Sequence, residues 1–96
     1  MANYRLSAEA KDDLTRIYEY GAEKYGEKQA DIYFDKLFER FEQIAENPLL
    51  YQSVDHIHAS FRRCVCGADS IFYRIAEDNM VEIIAIVGRQ DIGNAF

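Results

Sequence analysis

Cysteine and proline are scarce in this 96-residue chain, with two and one copies, and lysine does not occur after Lys36. The cysteines stand as Cys64-Val65-Cys66. On a strand, both thiols would point to one face roughly 6.5–7 Å apart, a poor geometry for a disulfide. Two cysteines also fall short of a four-ligand zinc set. His56-Ile57-His58 lies in a stretch with no regular period, so no metal is expected. Buried reduced thiols acting as small hydrophobes are the expectation. Long apolar runs are missing as well. Ile83-Ile84-Ala85-Ile86-Val87 is among the longest, whereas a membrane-spanning helix needs about 20 residues. The opening Met1-Ala2-Asn3-Tyr4-Arg5-Leu6 lacks the basic-then-apolar pattern of an export signal. A soluble, cytoplasmic protein with no membrane partner is therefore expected.

What is present is enough for one core. The chain is 49% hydrophobic, with 7 tyrosines and 6 phenylalanines in 11.2 kDa, which excludes disorder and fits a single domain over residues 1–96. No internal repeat or low-complexity segment interrupts it. Seventeen acids against 11 bases give a net charge of −6. A chain that neutralises many phosphates normally carries a basic face, so tight direct nucleic-acid binding is not expected, and a basic partner would be drawn in by the field. The four bases after residue 48 are all arginine: Arg62, Arg63, Arg74 and Arg89. Arginine alone suits bidentate recognition of carboxylate or phosphate.

Hydropathy patterning predicts the elements. Tyr4-Arg5-Leu6 alternates as a short strand, and Ser7 is placed to cap a helix with Glu9 in its first turn. Ala10, Leu14, Ile17, Tyr18, Gly21 and Tyr25 recur at helical spacing, with Gly26 as the stop. A second helix runs from about Lys28 to Glu46, with an apolar stripe of Ala30, Phe34, Leu37, Phe38, Phe41, Ile44 and Ala45. Asn47-Pro48 ends it. Residues 49–60 read as a loop. Strands over Phe61–Cys66, Ser70–Ile75 and Met80–Val87 follow, joined by hairpin turns; the last is apolar on both faces and belongs inside the sheet. In its alternation Val81, Ile83 and Ala85 share one face. The expected architecture is α+β, in the order β-α-α-β-β-β, with an antiparallel helical hairpin packed on one face of a small, mostly antiparallel sheet.

These elements resemble a known family. Tyr4-Arg5-Leu6-Ser7 with Ala10 and Leu14, then Ile17, Tyr20, Tyr25-Gly26, Gln29-Ala30 and Tyr33, look like the family's opening strand and helical hairpin. Leu37, Ile44-Ala45 and Asn47-Pro48 resemble the end of its second helix. Ile71-Phe72-Tyr73-Arg74-Ile75 resembles its phenylalanine-tyrosine-arginine strand, and Gly88-Arg89-Gln90-Asp91 its closing signature. The family is the ParE branch of the RelE/ParE toxins of type II toxin–antitoxin systems. Asp69 and Val87 stand where relatives often carry histidine, and Ala85 where an arginine is common. These departures remove groups that an RNA-cleaving relative could use as proton donors or phosphate clamps.

The resemblance implies a toxin that acts by binding, stabilising the cleavage complex of DNA gyrase, and that a ParD-type antitoxin neutralises. The alternative is a ribosome-dependent mRNA endoribonuclease of the RelE type. RNA cleavage needs a base, an acid and cations around the phosphate. Arginine cannot deprotonate and so makes a poor base, and the second half of the chain offers no lysine. No catalytic residue, metal or cofactor is therefore expected. Candidate target contacts are Arg62, Arg63, Tyr73, Arg74, Arg89, Gln90 and Asp91. Each has a plainer reading: Arg89 and Asp91 could pair across a corner, worth about 0–1 kcal/mol, Tyr73 could be core, and one of Arg62 and Arg63 should be structural. Tyr18, Tyr33, Leu37, Phe38 and Phe41 are the candidate antitoxin contacts. The resemblance implies an antitoxin helix laid beside the hairpin and a strand added to a sheet edge.

Overall fold

In a computed structural model, which describes residues 3–88, the polypeptide forms β1 (Tyr4–Leu6), α1 (Ala8–Tyr25), α2 (Glu27–Glu46), β2 (Gln52–Ser53), β3 (Arg62–Cys66), β4 (Asp69–Ile75) and β5 (Val81–Gly88). The α+β order and the helical hairpin are those the sequence predicts. Ser7 caps α1, its Oγ accepting from the Ala10 amide at 3.0 Å. Gly26 alone separates the helices, at φ 94° and ψ 157°, a conformation for which a Cβ is unfavourable.

The sheet has five strands in the order β1-β5-β4-β3-β2. β1 lies parallel to β5 and the other pairs are antiparallel. β5 sits between β1 and β4, as its two apolar faces require. The fifth strand is a correction to the loop expected over residues 49–60. Gln52 and Ser53 pair with Arg63 and Arg62, and two exposed polar residues give no period to read. Beyond them, Val54 is buried and its amide donates to the Phe61 carbonyl at 2.9 Å.

The two faces of the sheet carry different cores. Leu14 of α1 and Leu37, Phe41 and Ile44 of α2 pack with Cys64, Ile71, Tyr73, Val81, Ile83 and Ile86. On the other face the loop brings Val54 and Ile57 over Phe61 and Phe72, with Ile84 and Val87 alongside. An irregularity in the pairing sets this division. Phe72 opposes Ala85 while Tyr73 opposes Ile83, so Ile84 is an extra residue, a β-bulge. Ile83 and Ile86 therefore both reach the helices, and Ala85 turns to the side of Phe72. Strict alternation, which groups Ala85 with Val81 and Ile83, fails at this point.

Arg40 ties α2 to β3, donating to the Val65 carbonyl at 3.1 Å and to Cys64 Sγ at 3.6 Å. Both cysteines are free and buried. Burial raises each thiol above its ordinary pKa, and Arg40 opposes that. They are inert packing groups.

Phe41 has no exposed surface, whereas its neighbour Phe38, 5.2 Å away between ring centroids, is only half-buried. Phe41→Ala should lower unfolding free energy by about 3–5 kcal/mol. Phe38→Ala should cost clearly less. Urea unfolding of the two variants measures the contrast.

Candidate partner-binding surfaces

A cleft of about 740 Å³ opens between the C-terminal half of α1, the N-terminal half of α2, the β3–β4 turn and Gly88 of β5. Small residues set its floor: a Cβ built on Gly21 would stand 3.6 Å from Ala30 Cβ, so the helices approach closely there. Tyrosines make its walls. Tyr18 donates to Asp31 Oδ1 at 2.6 Å, and its ring meets Phe34 edge-on at 5.4 Å. Tyr20 and Tyr25 stand at the rim, 58% and 63% exposed, with Lys24 Nζ 5.4 and 5.5 Å from their ring centroids.

Tyr33 joins α2 to the β3–β4 turn. Its hydroxyl lies 2.8 Å from the Cys66 carbonyl and 2.6 Å from Asp69 Oδ2. Burial, reinforced by Asp69, pushes that hydroxyl well above the ordinary tyrosine pKa. It is a clamp and a poor proton donor. Gly67 makes room for it: φ is +58°, and a Cβ there would fall 2.8 Å from Tyr33 Cε1.

A shallower apolar hollow adjoins the cleft on the β1 side, lined by Leu6, Leu14 and Phe38 as well as by Tyr18 and Phe34. Tyr18 and Phe34 thus border both depressions. Behind them, ring contacts run from Phe34 to Phe38, Phe41 and Tyr4, at 5.0, 5.2 and 5.6 Å between successive centroids. The surface strip is continuous with the core.

The arginines of the sheet are held by the protein itself. Arg74 Nε donates to Glu82 Oε1 at 2.7 Å, and Arg5 reaches Glu82 and Asp78 at 3.3 and 3.2 Å. The Arg74 hydrogen bond, with a further one from Arg5, holds the Glu82 carboxyl below its ordinary range. Arg63 Nε donates to the buried Ser70 Oγ at 2.9 Å, and Arg62 to the Tyr51 carbonyl at 2.8 Å. On the α1 side, Arg16 donates to the Ile86 carbonyl while the Ile86 amide donates to Asp13 Oδ2. Side chains of α1 thereby continue the edge that β1 leaves open on β5. Among the described residues no three histidine, cysteine or acidic side chains are grouped to hold a metal, and no helix is long and apolar enough to cross a membrane.

A sequence profile described as "ParE toxin of type II toxin-antitoxin system, parDE" matches residues 4–93. The chain belongs to this family. It is 39% identical to Toxin ParE1 of Caulobacter vibrioides over 87 residues, covering 91% of this chain and 88% of that protein. It is 24% identical to Toxin ParE1 of Mycobacterium tuberculosis over 86 residues, 90% of this chain and 88% of the relative. A solved structure described as "Chromosomal ParDE TA system from P. aeruginosa" superposes with a TM-score of 0.79 at 16% identity, over 92% of this chain and 96% of that one, which shows the shared fold.

In this ParE-family chain the expected site residues divide. Tyr18, Tyr33 and Phe38 line the cleft and hollow. Leu37 and Phe41 do not: both are fully buried under the hairpin and present nothing to a partner. The correction has a simple cause, since the apolar stripe of α2 curves around the helix: Leu37, Phe41 and Ile44 face the core, while Phe34 and Phe38 on its flank stay half-buried. Tyr73 is corrected likewise. It has no exposed surface, burial pushes its hydroxyl up, and that hydroxyl donates to the Pro48 carbonyl at 2.6 Å. Arg62, Arg63 and Arg74 occupy the intramolecular bonds above, and Arg89, Gln90 and Asp91 lie outside the described residues. Sequence reasoning missed the exposed pair Leu49-Leu50, which belongs to no periodic element.

Removing the Tyr33 hydroxyl should cost about 1 kcal/mol of stability. Gly67→Ala should cost more, because it adds a left-handed strain to a collision with a clamped ring. Chemical denaturation of Tyr33→Phe and Gly67→Ala gives the ranking.

Proposed function

We propose that this chain is a non-catalytic toxin that inhibits DNA gyrase by binding and stabilising its cleavage complex, in the cytoplasm, until a ParD-type antitoxin covers it. One observation carries the reading: among the described residues, the arginines of β3 and β4 and the two buried tyrosine hydroxyls are already committed. Arg62, Arg63 and Arg74 are each bonded within the fold, and burial has pushed the hydroxyls of Tyr33 and Tyr73 up. A general acid or base needs a pKa near the working pH and reach to the substrate. His56 and His58 sit in the loop before β3, with His58 stacked on Phe61 at 4.0 Å between centroids. The net charge of −6 further opposes docking on ribosomal RNA.

The antitoxin's seat is the tyrosine-lined cleft with its adjoining hollow. An amphipathic helix places apolar side chains every third or fourth residue into such a strip, and Tyr18 and Phe34 border both halves of it. A ParD-type partner is supported by the P. aeruginosa structure of the same fold, which is that of a ParDE system.

With purified gyrase and relaxed plasmid, stoichiometric toxin should block supercoiling and leave linear DNA after detergent and protease. Prior addition of antitoxin should prevent both. Unaffected supercoiling, together with cut mRNA on translating ribosomes, would replace this reading with the nuclease one.

A further inference from the structure

After α2 the chain passes through Asn47-Pro48 into Leu49, Leu50 and Tyr51, just ahead of β2. Leu49 and Leu50 are the most exposed large apolar side chains among the described residues, at 70% and 72%. The backbone that carries them is fastened on both sides. The fully buried Tyr73 donates its hydroxyl to the Pro48 carbonyl at 2.6 Å, and the half-buried Arg62 donates to the Tyr51 carbonyl at 2.8 Å. The Leu50 amide donates to the Asn47 carbonyl at 3.1 Å, and the Tyr51 ring stands edge-on to Tyr73 at 6.4 Å. The buried Tyr73 and the half-buried Arg62 therefore fix a turn whose leucines remain mostly in water. That arrangement contributes little burial to the fold itself. It does lower the ordering cost of docking those leucines into another surface.

We propose that Leu49 and Leu50 form the knuckle by which this toxin grips its target, and that the matching surface is an apolar recess with a cationic rim. The assignment of that target to gyrase rests on the function proposed above. Charge selects the occupant. Glu42 and Glu46 are exposed one turn apart at the end of α2, whose last turn holds no basic residue, and the helix's C-terminal carbonyls add negative potential. A second copy would set the same carboxylates against one another on a chain of net charge −6. Nucleic acid itself is repelled for the same reason. An enzyme that holds DNA must present cationic surface to it, and that surface complements this end of the molecule.

Position separates this contact from the antitoxin's. Phe38 lines the hollow and Glu46 ends α2, so about 12 Å of helix divides the two surfaces. Next to the knuckle, β2 is an edge strand of two exposed residues, paired among the described residues with β3, which extends the footprint.

The test is Leu49→Ser with Leu50→Ser in the full chain, alongside Glu42→Lys with Glu46→Lys. All four side chains are exposed, so both double variants should fold and still co-purify with the ParD-type antitoxin. The serine variant should fail to arrest growth when expressed alone and should inhibit purified gyrase at least about 10-fold more weakly, the order expected for losing one buried leucine. The lysine variant should weaken in the same direction, most at low salt. Wild-type growth arrest and gyrase inhibition by both variants would overturn the knuckle. If the unsubstituted toxin arrests growth yet leaves gyrase untouched, the target assignment fails. The growth comparison then still judges the knuckle alone.

Discussion

The burial of one face of α2 against the sheet is the interaction on which the rest depends. Leu37, Phe41 and Ile44 disappear completely into that contact, and fully burying each is worth about 1.5–3 kcal/mol. For a domain whose whole stability is of order 5–15 kcal/mol, no other element could compensate for its loss. The same contact fixes where both ends of a 20-residue helix lie. Its first turns bring Tyr33 to the β3–β4 turn and open the cleft. Its last turn delivers Asn47-Pro48 to the hydroxyl of Tyr73. A single packing solution thus positions a concave aromatic surface at one end and a convex apolar one at the other.

The described arginines of the sheet, by contrast, are engaged within the fold. The sheet's outer face is covered at one side by Val54 and Ile57 over Phe72, and at the other by the pairs that Arg5 and Arg74 make with Asp78 and Glu82. An ion pair of this exposure adds little stability. At three positions where the family resemblance implies histidine or arginine, this chain has Asp69, Val87 and Ala85. Asp69 meets the Tyr33 clamp, Ala85 lies against Phe72, and Val87 joins the outer core. Each has been absorbed into packing.

Much of this was legible in the residues. The Ser7 cap, both helices, the central place of β5 and the family resemblance follow from local signals that the tertiary structure does not override. What stayed hidden depends on three-dimensional fit. The bulge at Ile84 changes which of Ile83, Ala85 and Ile86 meets the helices, and an apolar run carries no mark of where its alternation slips. Leu37 and Phe38 are adjacent and equally apolar, yet one is sealed and the other lines a hollow, because neighbouring helix positions point about 100° apart and only the packed fold decides which direction is covered. β2 needs two polar residues to pair, which periodicity cannot register. The Tyr73 hydroxyl gave no sign that its partner would be a carbonyl 25 positions earlier, at Pro48.

The central claim is that this toxin meets its antitoxin and its target on separate surfaces at opposite ends of α2. Methyl-detected NMR of the isoleucine, leucine and valine side chains, recorded as antitoxin is added, reports on both ends at once. The methyl groups of Ile17 in the cleft and of Leu6 and Leu14 in the hollow should shift or broaden, while those of Leu49 and Leu50 keep their free positions. Perturbation of Leu49 and Leu50, with Ile17, Leu6 and Leu14 unchanged, would contradict it.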